Sequence, residues 1–495
     1  MELSKAKEFP AHFKWLNTKE PLSLSKLKGH IVVLDFWTYC CINCMHMITE
    51  LTKLENKYKD KPVVFIGVHS AKFYNEQDAK NIEQAIMRYE IEHPVIVDEN
   101  MSIWRAYNVN AWPTIVIIDP SGNVVYKRAG EGQYELIDDV IDVLLTRYSD
   151  RIAKEPIVIV RREEYKFKFN NKLSFPGKIS FDPDGKYIAI SDSNNNRILV
   201  VRVEDGRVVY KIGSSSKGLY DGSFDEAKFF RPQGIAWSMD SSKIYVADTE
   251  NHALRVIDLD KRYVKTIAGN GRQGYYSKGG YALAVSLNSP WDVAIKDDKT
   301  LLIAMAGLHQ IWAYYLDESM VRPFAGSGYE GLLDSSLEGA EFAQPSGLSI
   351  DGNKLYVADS ESSSIRVIDL DKRYVKTIVG KDLFVFGHKD GNVDDALLQH
   401  PLGVDAHGNT VYVADTYNHA IRIIDLTRRE VSTLIDRSNA TECKLDDVCT
   451  LMLYEPSDVK LFDNTSTLYI ADTNNHLIRM FDLENKVLYT LDISF

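Results

Sequence analysis

The sequence predicts two domains of different class: an α/β domain over residues 1–150 and an all-β, six-bladed propeller over residues 173–495, joined by a charged linker at 151–172. Three observations carry this. Short apolar strand-like runs alternate with helix-periodic stretches only in the first 150 residues. The unit typified by Tyr245–Arg255 recurs six times, its aspartate position falling at Asp192, Asp248, Met305, Asp359, Asp415 and Asp472, 54–57 residues apart. Each copy runs through four short β-rich pieces, the content of one propeller blade.

In the first domain, Ile31–Phe36 and Val63–Val68 read as buried strands. Asp78–Ile91 reads as a helix with Ile82, Ala85, Ile86 and Tyr89 on one face. Thr114–Ile118 and Val124–Lys127 read as a strand pair turning at Asp119–Asn123, and Tyr134–Tyr148 as the closing helix. Pro113 stands at the mouth of a core strand, where it cannot donate to a ladder.

Three of the five cysteines, Cys40, Cys41 and Cys44, lie where the first strand hands over to a helical pattern through Met47, Ile48, Leu51, Leu54 and Tyr58. Free N–H groups and the positive end of a helix dipole favour a thiolate there. The Cys41-x-x-Cys44 spacing lets one helical turn bring the two sulfurs together. Asp35, inside the apolar run before them, is unusual, because burying a charge is costly. A catalytic carboxyl with a raised pKa explains it, and so does a capped or water-bonded structural aspartate. A zinc site has weak support: there is no second Cys-x-x-Cys, and His46 and His69 lack ligand spacing. His46 is expected on the solvated face of the helix.

Asp35-Phe36-Trp37, Cys41-x-x-Cys44, Trp112-Pro113-Thr114 and the Asp119–Asn123 turn together resemble the thioredoxin superfamily, in its thiol-disulfide reductase branch. That resemblance implies that Cys41 attacks, Cys44 resolves the mixed disulfide, Pro113 is cis beside them, and Asp35 assists proton transfer at Cys44. Ile42-Asn43 departs from the usual Gly-Pro or Pro-Pro, and Cys40 stands where the family usually has Trp, so Cys40 is a competing nucleophile or resolver. Trp112 joins these residues as a site candidate. The alternative is an inherited fold with idle cysteines.

Each repeat also carries an upstream proline signature, such as Pro232-Gln233-Gly234 or Pro290-Trp291-Asp292. The repeats resemble NHL repeats, with the Asn-His-x-(Leu/Ile)-Arg core at Asn251, Asn418 and Asn475. With all six blades complete, ring closure is expected from packing of blade six on blade one. Asp248, His252, Arg255 and their equivalents are expected to be inter-blade hydrogen-bond or ion-pair partners. Long glycine-rich connections and the Asn-His turns should share one face. Tyr275, Tyr276, Tyr329 and His388 on those loops have no blade role, which marks that face for protein binding. Cys443 and Cys449 flank an acidic loop and read as two thiols more readily than as a local disulfide.

The whole chain, with Tyr39–Cys44 and Gly67–Phe73 as its most specific marks, resembles the family of NHL repeat-containing protein 2. Net charge is −12, with −4 of it in residues 1–150, so no electropositive footprint for nucleic acid exists. No apolar run reaches roughly 18 residues, and the N-terminus has no apolar signal core, so no membrane segment is expected. Sparse cysteine points to a reducing cytoplasm. No cofactor or metal is implied. The leading reading is a thiol-disulfide oxidoreductase whose propeller recruits a protein partner. Its rivals are a redox-inactive interaction scaffold and a propeller hydrolase or lyase with a metal in the channel.

Overall fold

A computed structural model describes residues 4–153, 156, 172–276, 278–436, 452–462 and 465–495. The chain divides into two compact units, Met1–Phe169 and Asn170–Phe495. Cys443, Cys449 and most of the 151–172 linker lie outside the described residues.

The first unit is a mixed sheet with helices packed on it. Its elements are β1 (Trp15–Leu16), β2 (Ile31–Trp37), α1 (Ile42–Tyr58), β3 (Val63–His69), α2 (Ala79–Arg88), β4 (Val95–Val97), α3 (Ser102–Ala106), β5 (Thr114–Ile118), β6 (Val124–Ala129) and α4 (Tyr134–Arg147). The sheet order is β1-β4-β3-β2-β5-β6. β2 is central, parallel to β3 and antiparallel to β5. Both its faces are buried, which is why it reads as an unbroken apolar run. Ile31 and Val33 pack with Met47, Leu51 and Leu54 of α1 and with Ile137 and Ile141 of α4. Val32, Leu34 and Phe36 face the other layer, with Trp15, Ile96, Ile103 and Trp104. β1, β4 and α3 are too short to show a period, and the sequence pattern did not reveal them. α2 is shorter than Asp78–Ile91 because Asp78 caps it, accepting from Lys80 N at 2.9 Å.

The second unit is a six-bladed propeller. Blade two shows the plan: antiparallel strands Ile235–Trp237, Lys243–Asp248, Ala253–Asp258 and Tyr263–Ala268. In blades two to five a two-residue strand from the preceding inter-blade loop, such as Gly222–Ser223, pairs with the outermost strand. Each second strand ends in a turn whose last residue is left-handed: Asn196, His252, His309, Ser363, His419 and His476. That residue ties its blade to the next. His252 Nδ1 accepts from Ser289 N (3.0 Å), His309 Nδ1 from Gln344 N (3.1 Å) and His419 Nδ1 from Glu455 N (3.0 Å). Asn196 Oδ1 and Ser363 Oγ accept from Arg231 N and His400 N in the same way. His476 Nδ1, accepting from Phe175 N at 3.0 Å, closes the ring from blade six to blade one.

The aspartate and arginine of the repeat act within a blade, contrary to the inter-blade role expected for them. Asp248 Oδ2 pairs with Arg255 Nη1 at 2.8 Å, and Asp248 Oδ1 accepts from Phe230 N. Arg255 also donates to the carbonyls of Lys228 and Tyr220, clasping both limbs of the loop that leads into its own blade. The reason is register: Val246 lies opposite Arg255 in neighbouring strands, so the pair is a neighbour across one ladder rather than across a blade boundary.

Closure also uses more than face packing. The C-terminal tail runs onto blade one: Ser494 bridges Arg207, Val208 N donates to Ser494 O, and Leu491 and Ile493 are buried with Ile188, Leu199 and Val201. Gly206, at φ +70°, allows this approach, since a Cβ there would lie 1.9 Å from the carbonyl of Asp492. Deleting residues 491–495 should therefore cost the propeller about 3 kcal/mol or more, from two buried aliphatic side chains. A calorimetric scan should show a lowered propeller transition, and an unchanged one would mean the tail is passive.

Candidate functional site

The cysteines sit at the exit of β2. Cys41 is the N-cap residue of α1, with φ −82° and ψ 118°, and Cys44 N and Met45 N donate to its carbonyl. Cys40, Cys41 and Cys44 are free thiols, and Cys41 alone of the three has solvent exposure. Cys40 is buried, its Sγ 3.9 Å from Thr38 Oγ1 and its N–H donating to Glu76 Oε1 at 2.8 Å. Cys44 is also buried. Its burial, then its hydrogen bond to Cys41, pushes the Cys44 thiol well up, and the neighbouring Asp35 charge adds to this.

Asp35 lies on the α1 face of β2, the face of Ile31 and Val33. It is 2% exposed, and neither carboxyl oxygen has a hydrogen-bond partner among the described residues. Burial pushes the Asp35 carboxyl up to about 7; His93 pulls it down and Glu55 pushes it further up. His69 is buried too, edge-on to Trp37 and stacked on Tyr39, and burial holds it down at about 3, hence neutral.

The Trp112–Pro113 peptide is cis and precedes β5, whose first residue, Thr114, lies opposite Phe36 of β2. Trp112 Nε1 donates to Ser70 O, and Ser70 N donates to Trp37 O, so the ends of β2, β3 and β5 are laced together beside the cysteines. His46 is a correction: it is buried, with Nδ1 2.5 Å from Glu131 Oε2. The cause is tertiary. The loop after β6 folds over α1, where Glu50 Oε2 also accepts from Gln133 N and Gly130 N donates to Pro113 O. Glu76 is the residue that sequence reasoning missed. Fully buried, its carboxylate collects the N–H groups of Cys40, Lys72 and Phe73 and so fixes the backbone before Cys41. Its place just beyond Gly67–Phe73 was the available signal.

On the propeller, Tyr275, Tyr276 and Tyr329 expose their rings, whereas His388 Nε2 lies 3.1 Å from Thr433 Oγ1. Asn251 and Asn418 donate to the loop carbonyls of Gly218 and Gly387, which puts the Asn-His turns and the glycine-rich loops on one face. Along the innermost strands, buried Lys178 lies 3.9 Å from Asp292 and 3.8 Å from Asp458, and Lys460 3.7 Å from Asp405. These aspartates serve ammonium groups. Among the described residues no cluster of three or more His, Cys, Asp or Glu side chains is arranged to hold a metal, and no helix is long and apolar enough to cross a membrane.

Residues 29–124 match the Thioredoxin-like family and residues 342–368 the NHL repeat. The chain is 41% identical over 522 residues to NHL repeat-containing protein 2 of Homo sapiens, covering 98% of this chain and 71% of that protein. The chain belongs to the NHL repeat-containing protein 2 family. It is also 44% identical over 508 residues to the protein Suppressor of quenching 1, chloroplastic, of Arabidopsis thaliana, covering 98% of this chain and 48% of that one, so it spans about half of the plant relative's length. Its thioredoxin-like part is 32% identical over 117 residues to thiol-disulfide oxidoreductase ResA of Bacillus cereus, covering 24% of this chain and 65% of the other.

The Asp35 carboxyl makes a direct stability prediction. Its folded pKa, about 7, lies above the ordinary 3.8, so the folded state resists the ionisation that the unfolded chain accepts. Stability contributed by the neutral acid is thus lost as pH rises from about 4 to 7, and is flat above. Asp35→Asn should melt higher than wild type at pH 8, by up to about 4 kcal/mol, with the gain vanishing near pH 4. Equal melting temperatures at pH 8 would contradict the burial argument.

Proposed function

We propose that the chain is a thiol-disulfide oxidoreductase, with the Cys41–Cys44 pair as its redox centre and the propeller as the element that holds a protein partner. The observation that carries the reading is the buried, unbonded Asp35 carboxyl, whose charge reaches the buried Cys44 thiol, with Cys41 partly exposed at the head of α1. A purely structural carboxylate would be expected to be capped.

In this reading the Cys41 thiolate attacks a substrate disulfide, one substrate sulfur leaving with the bonding pair. Cys44 then gives its proton to the Asp35 carboxylate, and the new thiolate attacks Cys41 Sγ. The second substrate sulfur leaves, and a Cys41–Cys44 disulfide remains. Two electrons have moved from the cysteine pair to the substrate, and an external dithiol, itself oxidised to a disulfide, supplies two more to reduce the pair. In this reading Cys40, buried while Cys41 is partly exposed, is not the attacking thiol, and Trp112 and Pro113 shape the rim. Three free thiols suit a reducing compartment, for which we propose the cytoplasm. Relatives matching the thioredoxin-like part support the chemistry, the NHL propeller is consistent with a protein partner, and the net charge of −12 argues against nucleic acid.

Two experiments test this. Cys44→Ser should trap partners as mixed disulfides, Cys41→Ser should abolish exchange, and Cys40→Ser should keep at least part of it. Asp35→Asn should slow resolution more than formation of the mixed disulfide. Loss of exchange in a folded Cys40→Ser would reassign the nucleophile. A wild-type chain that exchanges with no dithiol couple would leave the scaffold reading. For the partner face, alanine at Tyr275, Tyr276 and Tyr329 together should weaken capture while leaving the melting temperature nearly unchanged. A large stability loss with unchanged capture would place the partner elsewhere.

A further inference from the structure

On the propeller face opposite the Asn-His turns, residues 238–242 and 298–299 connect the first and second strands of blades two and three. Between these connections opens a cleft of about 260 Å³. That is less than the roughly 300–1,000 Å³ of a small-molecule site, and suits one long side chain. Its floor is apolar: Leu301 is buried, and Ile295 and Leu316 pack against the same core. Tyr245, 6% exposed, reaches the cleft from blade two, and its hydroxyl has no hydrogen-bond partner among the described residues. Burial, then Tyr314, then the charge of Asp240 raise its pKa, so it is a neutral phenol that feels that carboxylate. Three carboxylates stand on the rim, Asp240, Asp297 and Asp298, against one cation, Lys243, which lies opposite Asp258 in its own blade. Asp297 is engaged by Lys296 Nζ at 2.7 Å and by Lys299 N at 3.0 Å. Asp240 takes the bonds of Ser238 and Ser242 on Oδ1, which leaves Oδ2. Asp298 has no ion pair among the described residues, and the neighbouring Lys299 pairs with Asp317.

The blade fold does not call for these acids. The corresponding cleft between blades four and five keeps a buried tyrosine, Tyr356, and a leucine, Leu426, but carries Lys354, Lys376 and Arg429 instead. A charge that changes sign between equivalent places is no part of the common scaffold. Two carboxylates and a phenol left without partners around an apolar trough suit a long cation, its stem on the floor and its head at the oxygens. A planar guanidinium, with several donors, serves separated acceptors better than an ammonium does. We propose that the cleft between blades two and three is a docking pocket for an arginine side chain of a protein partner. The arginine methylenes lie on Ile295, Leu301 and Leu316, and the exposed, pliant Met239 closes over them. The guanidinium meets Asp240, Asp298 and the Tyr245 hydroxyl. The pocket uses no residue of the redox centre or of the loops bearing Tyr276 and Tyr329, so it stands or falls apart from the function proposed above.

The test titrates the full chain with the capped peptide Ala-Ala-Arg-Ala-Ala, read by saturation-transfer NMR of the arginine methylenes. Binding should saturate, and citrulline in place of arginine, a neutral isostere, should weaken it roughly fivefold or more. Asp240→Asn combined with Asp298→Asn should weaken it by a similar factor. Asparagine at 240 keeps the Oδ1 acceptor for Ser238 and Ser242, so the connection stays folded. Tyr245→Phe should weaken it roughly threefold. Glu204→Gln combined with Asp371→Asn, at exposed positions on other blades, makes the same change in charge and should leave binding nearly as it was. An attraction to the net charge of −12 alone would fall equally in both pairs. Equal loss in the two pairs, or citrulline binding as tightly as arginine, overturns the pocket. A lysine peptide that binds as tightly as the arginine one overturns the choice of a guanidinium.

Discussion

A charge removed from water has to be met by another charge, by hydrogen bonds, or by giving up its charge, and both units of this protein are arranged around that constraint. Asp248 and Asp35 are both buried. Asp248 has Arg255, the side chain of Asn251 and the N–H of Phe230. Asp35 has none of these. The first arrangement holds a blade together. The second leaves a buried carboxyl whose charge helps push up the Cys44 thiol, one helical turn beyond the cysteine at the head of α1.

The propeller shows what happens when the constraint is relaxed. In blade three the aspartate position is Met305 and the arginine position is Trp312, and both pack into the core with Leu254 and Leu287. Trp312 Nε1 is satisfied by Gln310, and Asn288 N lies 3.4 Å from the Met305 sulfur where other blades offer a carboxylate. A larger, apolar pair thus takes the place of the ion pair, as expected when desolvation nearly cancels Coulomb attraction. His309 is kept in that blade because no apolar residue can replace its acceptor for Gln344 N.

What the sequence disclosed follows from this physics. Periodic features were legible: the buried run of β2, the amphipathic helices α1 and α4, and six copies of a blade. So was Asp35, because a lone acid in an apolar strand contradicts its surroundings. Features created by long-range contact were not. His46 sits among polar and apolar neighbours that suit a solvated helix face equally well, and only the loop carrying Glu131 buries it. Glu76 looks like an ordinary charged residue until the backbone of Cys40 is brought to it across 36 positions. Lys178, just before the first strand of its blade, and Lys460, within one, show no local anomaly, and Asp292 and Asp458 reach Lys178, and Asp405 reaches Lys460, from other blades.

The same separation of local and distant roles explains how one loop can be structural and still present a surface. Arg255 and Arg366 grip the main-chain carbonyls of Tyr220 and Leu333, not their side chains. Once the backbone is fixed in this way, the side chain is free to vary and to face solvent, as Tyr220 and Leu333 do. Tyr276 and Tyr329 project from the corresponding loops of blades three and four. The grip fixes one side chain per loop, the aspartate next in sequence (Asp221, Asp334, Asp390), which the same arginine also holds, and leaves the neighbouring exposed residues free to change from blade to blade without touching the ring. The first unit follows the opposite rule. There Glu76 and the Trp112–Ser70–Trp37 bonds fix a backbone whose side chains, Cys41 and Cys44, cannot vary without ending the chemistry proposed for them.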